Sequence, residues 1–167
     1  MKLLVRKMRE NDFDSLLPLQ REIQRLHAEG RPDLFRPEAV SYPEEVFRET
    51  VNNPAWRCAV CEADGACAGF LFAWVRHLRG HRNMRDADVL LLDDICVGER
   101  YRRRGIGRAL FDYARAAAEE AGCSRIELNV WSFNEEALGF YRAMGFLPMT
   151  VKMERHMPKE DGEEAAT

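Results

Sequence analysis

The chain carries an apolar run from Val89 to Val97, broken only by Asp93 and Asp94, and soon after it Arg102-Arg103-Arg104-Gly105-Ile106-Gly107. Helix formers from Arg108 to Ala121 follow. A glycine-rich turn therefore joins the end of a strand to the start of a helix. The first amides of a helix have no intrahelical acceptor, and the macrodipole adds roughly half a positive charge there. Gly105 and Gly107 carry no Cβ, so an anion can approach the backbone closely. Arginines on the same turn add charge. The unit reads as a pyrophosphate cradle; the plainer alternative is a helix start that is only structural.

Two familiar cradles fit poorly. A Walker A loop needs Lys-Ser/Thr after its last glycine, whereas Gly107 is followed by Arg108-Ala109. A dinucleotide fingerprint needs a third glycine, and Leu110 stands there instead. The hexapeptide does resemble the R/Q-x-x-G-x-G/A motif of the GCN5-related N-acetyltransferase (GNAT) superfamily, which binds the pyrophosphate of acetyl-coenzyme A. A second stretch strengthens the likeness. Asn134-Glu135-Glu136-Ala137-Leu138-Gly139-Phe140-Tyr141, then Met144-Gly145-Phe146, is similar to that family's N-x-x-A-x-x-F-Y and following G-F. Asn134 would cap a short helix and Gly145 would end it. The resemblance spans Leu3 to about Glu154 and is dense from Leu90 to Phe146. Its nearest likeness is to the diamine (spermidine/spermine-type) acetyltransferases, carried by Leu92-Asp93-Asp94, Val97, Tyr101, the cradle, Asn134 and Phe140-Tyr141. Asp93 departs from that group, which has a glutamate there.

The resemblance implies roles. Arg102, Arg103, Arg104, Gly105, Ile106 and Gly107 would hold the pyrophosphate, and Asn134 would reach the pantetheine arm. The strand edge at Ile95, Cys96 and Val97 would pair with the pantetheine amides and polarise the thioester carbonyl. Tyr141 would give a proton to the departing thiolate; its plain alternative is a core tyrosine. Asp93 and Asp94 are candidates for the base or water relay that a protonated amine requires. Adjacent strand residues point to opposite faces, so only one should face the acceptor unless a bulge intervenes. His27, Asp33 and Phe35, with Glu22, Arg31 and Pro32, would flank the acceptor side, and His27 could relay a proton. Trp74 and Trp131 read as packing residues.

Composition excludes several classes. The chain has 167 residues, the size of one domain, and a net charge of −3, which argues against nucleic acid as a partner. No apolar run is long enough to span a bilayer. The N-terminus lacks the features of a signal peptide. Five cysteines, an odd number, suit a reducing cytoplasm. Cys58 and Cys61 lie three apart in a strand-like stretch and should face opposite ways. With no second Cys or His pair nearby, zinc is rejected and no metal is expected.

Periodicity predicts a first strand at Leu3–Met8 and a helix from the caps Asn11 and Asp12 to about Ala28. A second helix is expected over Pro43–Val51. A hairpin follows, Trp56–Glu62 and Cys67–Val75 around Asp64-Gly65. Arg76–Asp88 reads as a loop, Val89–Val97 as the central strand and Gly105–Ala121 as a helix. Arg125–Val130 is the next strand, then the Asn134 helix, then a last strand at Leu147–Glu154. Residues 1–157 make one domain; the acidic tail from Pro158 to Thr167 is expected to be disordered. The order implies an α/β (α+β) sandwich with helices on both faces of a mixed, mostly antiparallel sheet. The resemblance adds a splayed central strand pair.

The expected activity is acetyl-coenzyme A-dependent N-acetylation of a primary amine by direct attack in a ternary complex. The acceptor is a small cationic amine, such as a polyamine or amino-acid derivative, favoured by the aspartate pair. Acetylation of a protein N-terminus or lysine is the second enzymatic alternative, and an acyl-coenzyme A sensor without turnover is the non-enzymatic one. A homodimer is expected from the family's habit.

Overall fold

The computed structural model describes residues 1–157, so the expected disordered tail, Pro158 to Thr167, lies outside the described residues. Five strands form one sheet in chain order. β1 (Leu3–Lys7), β2 (Ala59–Ala63), β3 (Ala66–Leu78) and β4 (Ala87–Val97) pair antiparallel, and β5 (Arg125–Leu128) joins β4 in parallel. The sheet is therefore mixed and mostly antiparallel, as its sequence pattern predicts.

Alternation along the strands builds a core on each face. Leu71, Ala73, Val75, Leu90 and Leu92 pack with Ile106, Leu110 and Ala114 of α3 (Ile106–Glu120). Phe70 and Phe72 point the other way. They meet Leu16 and Leu19 of α1 (Phe13–Gly30) and Phe47 and Val51 of α2 (Glu44–Asn52). Phe47, Phe70 and Phe72 are fully buried, each worth about 1.5–3 kcal/mol relative to exposure. Cys58 and Cys61 fall in different cores, as their spacing requires. The last helix, α4 (Glu135–Ala143), follows β5. Among the described residues no helix is long and apolar enough to cross a membrane.

Two expectations are corrected. The stretch Arg76–Asp88 is ladder at its two ends, where Arg76 pairs with Val89, His77 with Asp88 and Leu78 with Ala87, and loop over residues 79–86 between them. Its polar side chains disguise a strand because they pair with each other at the sheet's end, Arg76 with Glu127 at 2.7 Å and Arg79 with Asp88 at 2.7 Å. The last strand, Leu147–Glu154, does not form. Its residues are extended in pattern but bond to no backbone group among the described residues, and they are exposed. The alternation is that of a strand, but no ladder partner meets it among the described residues.

Candidate active site

The cradle is built where β4 ends. A short turn, Glu99–Tyr101, leads into Gly105, which caps α3 with a left-handed φ of 84°. Arg103 is left-handed as well, at φ 60°. No side chain caps α3, and among the described residues every backbone N–H from Arg103 to Arg108 is without a partner. Consecutive free amides at a helix start form an anion-binding concavity. That donor set fits a pyrophosphate. Ile106 is buried and offers only its backbone, whereas Arg103 and Arg104 are exposed and free to meet an anion.

Two cradle residues depart from expectation. The Arg102 guanidinium donates to Glu136 at 2.9 Å, lies 3.6 Å from Glu22, and reaches the Val97 carbonyl at 3.5 Å. It ties the cradle to α1 and α4 instead of standing free for phosphate. A Cβ on Gly107 would meet the Phe140 ring at 3.2 Å. Glycine there admits Phe140, and its service to an anion is secondary.

Pairing between β4 and β5 ends at Leu92 and Leu128, while β4 stays paired to β3 as far as Val97. From Asp93 onward the far edge of β4 is open, which is the splay the resemblance implies. Ile95 and Val97 pack toward α3, and Cys96 is buried against α1 with its sulfur 3.7 Å from the Leu19 carbonyl. These three can meet a ligand only through their backbone.

A bulge decides where the aspartates point. Phe72 faces Asp94 and Ala73 faces Leu92, so Asp93 is the extra residue. Before it, Leu90 and Leu92 face α3; after it, Cys96 faces α1 and Ile95 and Val97 face α3. The parity reverses across Asp93, so Asp93 and Asp94 both point to the α1/α2 side. A bulge was the one condition under which both could do so. Burial, and then the neighbouring Asp93 charge, push Asp94 up to about 7.

Asp93 is exposed and accepts a hydrogen bond from the Tyr42 hydroxyl. Tyr42 is buried and stacks on Phe72 at 3.9 Å and 11°. Its N–H donates to the Gln20 side-chain oxygen at 3.0 Å. Sequence reasoning passed over Tyr42. The available signal was its place just before the Pro43 cap of α2, with Phe47 four helical positions on, the spacing of a hydrophobic staple. Both rings pack on Phe72.

Tyr141 sits on α4 between Phe140, at 5.4 Å, and Phe146, at 5.6 Å. Burial, and then the charge of Asp94, raise its pKa well above that of an ordinary tyrosine. Tyr141 therefore keeps its proton at neutral pH. Asn134 caps α4, its side-chain oxygen accepting from the Ala137 N–H at 3.1 Å. The helix closes as predicted, with Phe146 N–H donating to the Tyr141 carbonyl and Gly145 N–H to that of Arg142.

The expected acceptor residues divide. Asp33 is paired with Arg31 at 2.7 Å and held down to about 2 by it. Arg31 also pairs with Glu154 at 2.7 Å and lies 5.8 Å over the Trp131 ring. Asp33 is thus held by Arg31 at the acceptor side. His27 is half-buried between Phe35, at 5.0 Å, and Phe133, at 6.5 Å. Burial lowers its pKa, and its ring has no hydrogen-bond partner among the described residues. A relay role has no support there; His27, Phe35, Trp131 and Phe133 form an aromatic row instead.

The sequence profile of the acetyltransferase (GNAT) family matches residues 21–146. Over 96% of this chain and 94% of the relative, the sequence is 26% identical to thialysine N-epsilon-acetyltransferase of Sus scrofa. An N-alpha-acetyltransferase of Sulfurisphaera tokodaii is 29% identical over 96% of this chain and 88% of its own. Among solved structures, the BH1408 protein from Bacillus halodurans superposes with a TM-score of 0.89 at 22% identity, covering 93% of this chain and 99% of that one. Aminoglycoside N-acetyltransferase AAC(6')-Iy in complex with CoA superposes with a TM-score of 0.67 at 18% identity, covering 93% and 95%. The chain belongs to the acetyltransferase (GNAT) family and is an N-acetyltransferase.

Proposed function

We propose that the chain transfers an acetyl group from acetyl-coenzyme A to the primary amine of a small cationic acceptor, by direct attack in a ternary complex. The observation that carries this is the bulge that sets Asp93 and Asp94 on one face of β4.

When bound, the coenzyme supplies an activated thioester. The free amides from Arg103 to Arg108, with the Arg103 and Arg104 side chains, hold its pyrophosphate. The open β4 edge at Ile95–Val97 pairs with the pantetheine arm and directs a backbone N–H at the thioester carbonyl. A free alkylamine has a pKa near 10, so the acceptor arrives charged. Asp93, fixed by Tyr42, attracts that charge. Asp94, pushed up to about 7, is matched to taking the amine's proton at neutral pH, directly or through water. Tyr141 holds the proton that the leaving thiolate needs. All five cysteines are free, which suits a reducing compartment such as the cytoplasm.

One observation favours a second acceptor, the amine of a protein N-terminus or lysine. Asp93 is exposed, so the acceptor side opens to the surface beside it. The Sulfurisphaera tokodaii relative is named as an N-alpha-acetyltransferase.

A thiol-release assay with acetyl-coenzyme A against polyamines, lysine-like amines and peptides tests the proposal. Turnover on small amines, lost in Asp94→Asn, supports it. Turnover on peptides alone moves the reading to protein acceptors, and coenzyme binding without any turnover overturns both.

A further inference from the structure

The sheet face that carries Asp93 continues past it toward the start of β4. Phe70 and Phe72 point to the α1/α2 side, and alternation carries Trp74 and Arg76 to the same side. Ile126 and Leu128 pack on the α3 side, so Arg125 and Glu127 of β5 also point to the α1/α2 side. Arg76 reaches from β3 across β4 to Glu127 on β5, at 2.7 Å. Arg125 holds the other oxygen of that carboxylate at 2.6 Å.

The charges there do not balance. Two guanidiniums share one carboxylate, and neither pairs with another among the described residues. One positive charge is left over. The Arg76 Nε is also buried without a hydrogen-bond partner among the described residues, and a buried donor is costly to leave unmet.

This face is therefore dipolar, negative at Asp93 and positive at Arg76 and Arg125. Leu91 lies opposite Glu127, two residues from Asp93, and Val89 lies opposite Arg76, four residues from it. At about 3.3 Å per residue the two ends are roughly 7–13 Å apart. Between them the half-buried Leu91 and Trp74 form an apolar floor.

Building on the small-amine reading, we infer that the acceptor carries a carboxylate as well as its amine, and that Arg76 binds that carboxylate. The amine is drawn to Asp93, methylene groups cross Leu91 and Trp74, and the carboxylate takes up the charge that Glu127 leaves unmet. A planar guanidinium fork suits a carboxylate. A lysine-like amino acid has this polarity and span. A polyamine does not, because its second ammonium would face the two arginines, and like charges brought together are disfavoured.

The test is calorimetric titration of the full chain with coenzyme A present. The probes are ω-aminohexanoate and ω-aminooctanoate, which cover the span, their neutral amides, and hexanediamine. At least one acid should bind about 10-fold tighter than its amide, the worth of a hydrogen bond to a charged group, and the diamine should bind no tighter than the amides. Arg76→Gln should erase the preference. Arg76→Lys should keep part of it, since it keeps the charge and loses the fork. Melting curves check that both variants are folded. Equal binding of acid and amide, a diamine that binds tighter than either acid, a preference that survives Arg76→Gln, or no binding of any probe would each overturn the assignment. Binding is read without turnover. A chain that shows the Arg76-dependent preference yet acetylates none of the probes would sink the small-amine reading and still support a carboxylate site at Arg76.

Discussion

The Tyr42 hydroxyl donates a hydrogen bond to the Asp93 carboxylate, while Asp94 has no side-chain donor among the described residues and is pushed up to about 7. Two adjacent carboxylates on one face are thereby given different surroundings, Asp93 held in place by a phenol and Asp94 left to take up and release a proton near neutral pH.

Replacing Tyr42 by Phe keeps the ring on Phe72 and removes only the hydrogen bond. A hydrogen bond to a charged group contributes about 1.5–3 kcal/mol. We expect kcat/KM for the amine to fall about 10–100-fold, with the coenzyme's Kd unchanged. Steady-state kinetics beside calorimetric coenzyme binding checks this; an unchanged kcat/KM would remove Tyr42 from the site.

Asp94→Asn separates stability from function. The folded chain holds the Asp94 proton up to about pH 7, whereas the unfolded chain loses it near pH 4. Below that lower pH the group is neutral in both states. As pH rises from about 4 to about 7, ionisation favours the unfolded state, and the penalty is complete above 7. The substitution should therefore raise Tm more at pH 8 than at pH 5, while abolishing the rise in kcat through neutral pH. Melting curves at the two pH values decide it. An equal Tm gain at both would mean that Asp94 is ionised throughout.

Tyr141→Phe removes the proton held for the leaving group. A positioned general acid contributes about 10²–10⁴-fold. We expect kcat to fall about 100-fold with little change in coenzyme KM. A loss confined to KM would make Tyr141 a packing residue.

The cradle glycines should respond differently. Gly105→Ala forces a side chain into φ 84°, at about 1–2 kcal/mol, and should lower Tm and weaken coenzyme binding together. Gly107→Ala presses on the Phe140 ring. It should lower Tm by a similar overpacking cost, about 1 kcal/mol, and change coenzyme affinity less. A larger affinity loss at Gly107 than at Gly105 would restore the closer-approach role for Gly107.

Much of this was legible because it is local. The strand, turn and helix around Gly105 follow from amide geometry and apolar period, and the Asn134 cap and Gly145 stop from short-range rules. What escaped was set at a distance. Arg102 looked like a phosphate ligand because Glu22 and Glu136 lie far away in sequence. Tyr42 stands alone between a break and a helix, with no period to mark it. The apolar alternation of Leu147–Met153 predicts a strand, but alternation alone cannot supply a ladder partner, and among the described residues the segment has none.

The extra residue in β4 has a consequence for any change in that strand's length. Deleting Asp93 would let the ladder run in regular alternation from Leu92 to Asp94, which already opposes Phe72. Cys96 would stay toward α1 and Ile95 and Val97 toward α3, so the acceptor side would lose one carboxylate while the packing beneath the cradle kept its layers. Deleting any one residue from Asp94 to Val97 instead would turn the side chains beyond it to the opposite face, so the strand tolerates shortening at one position only.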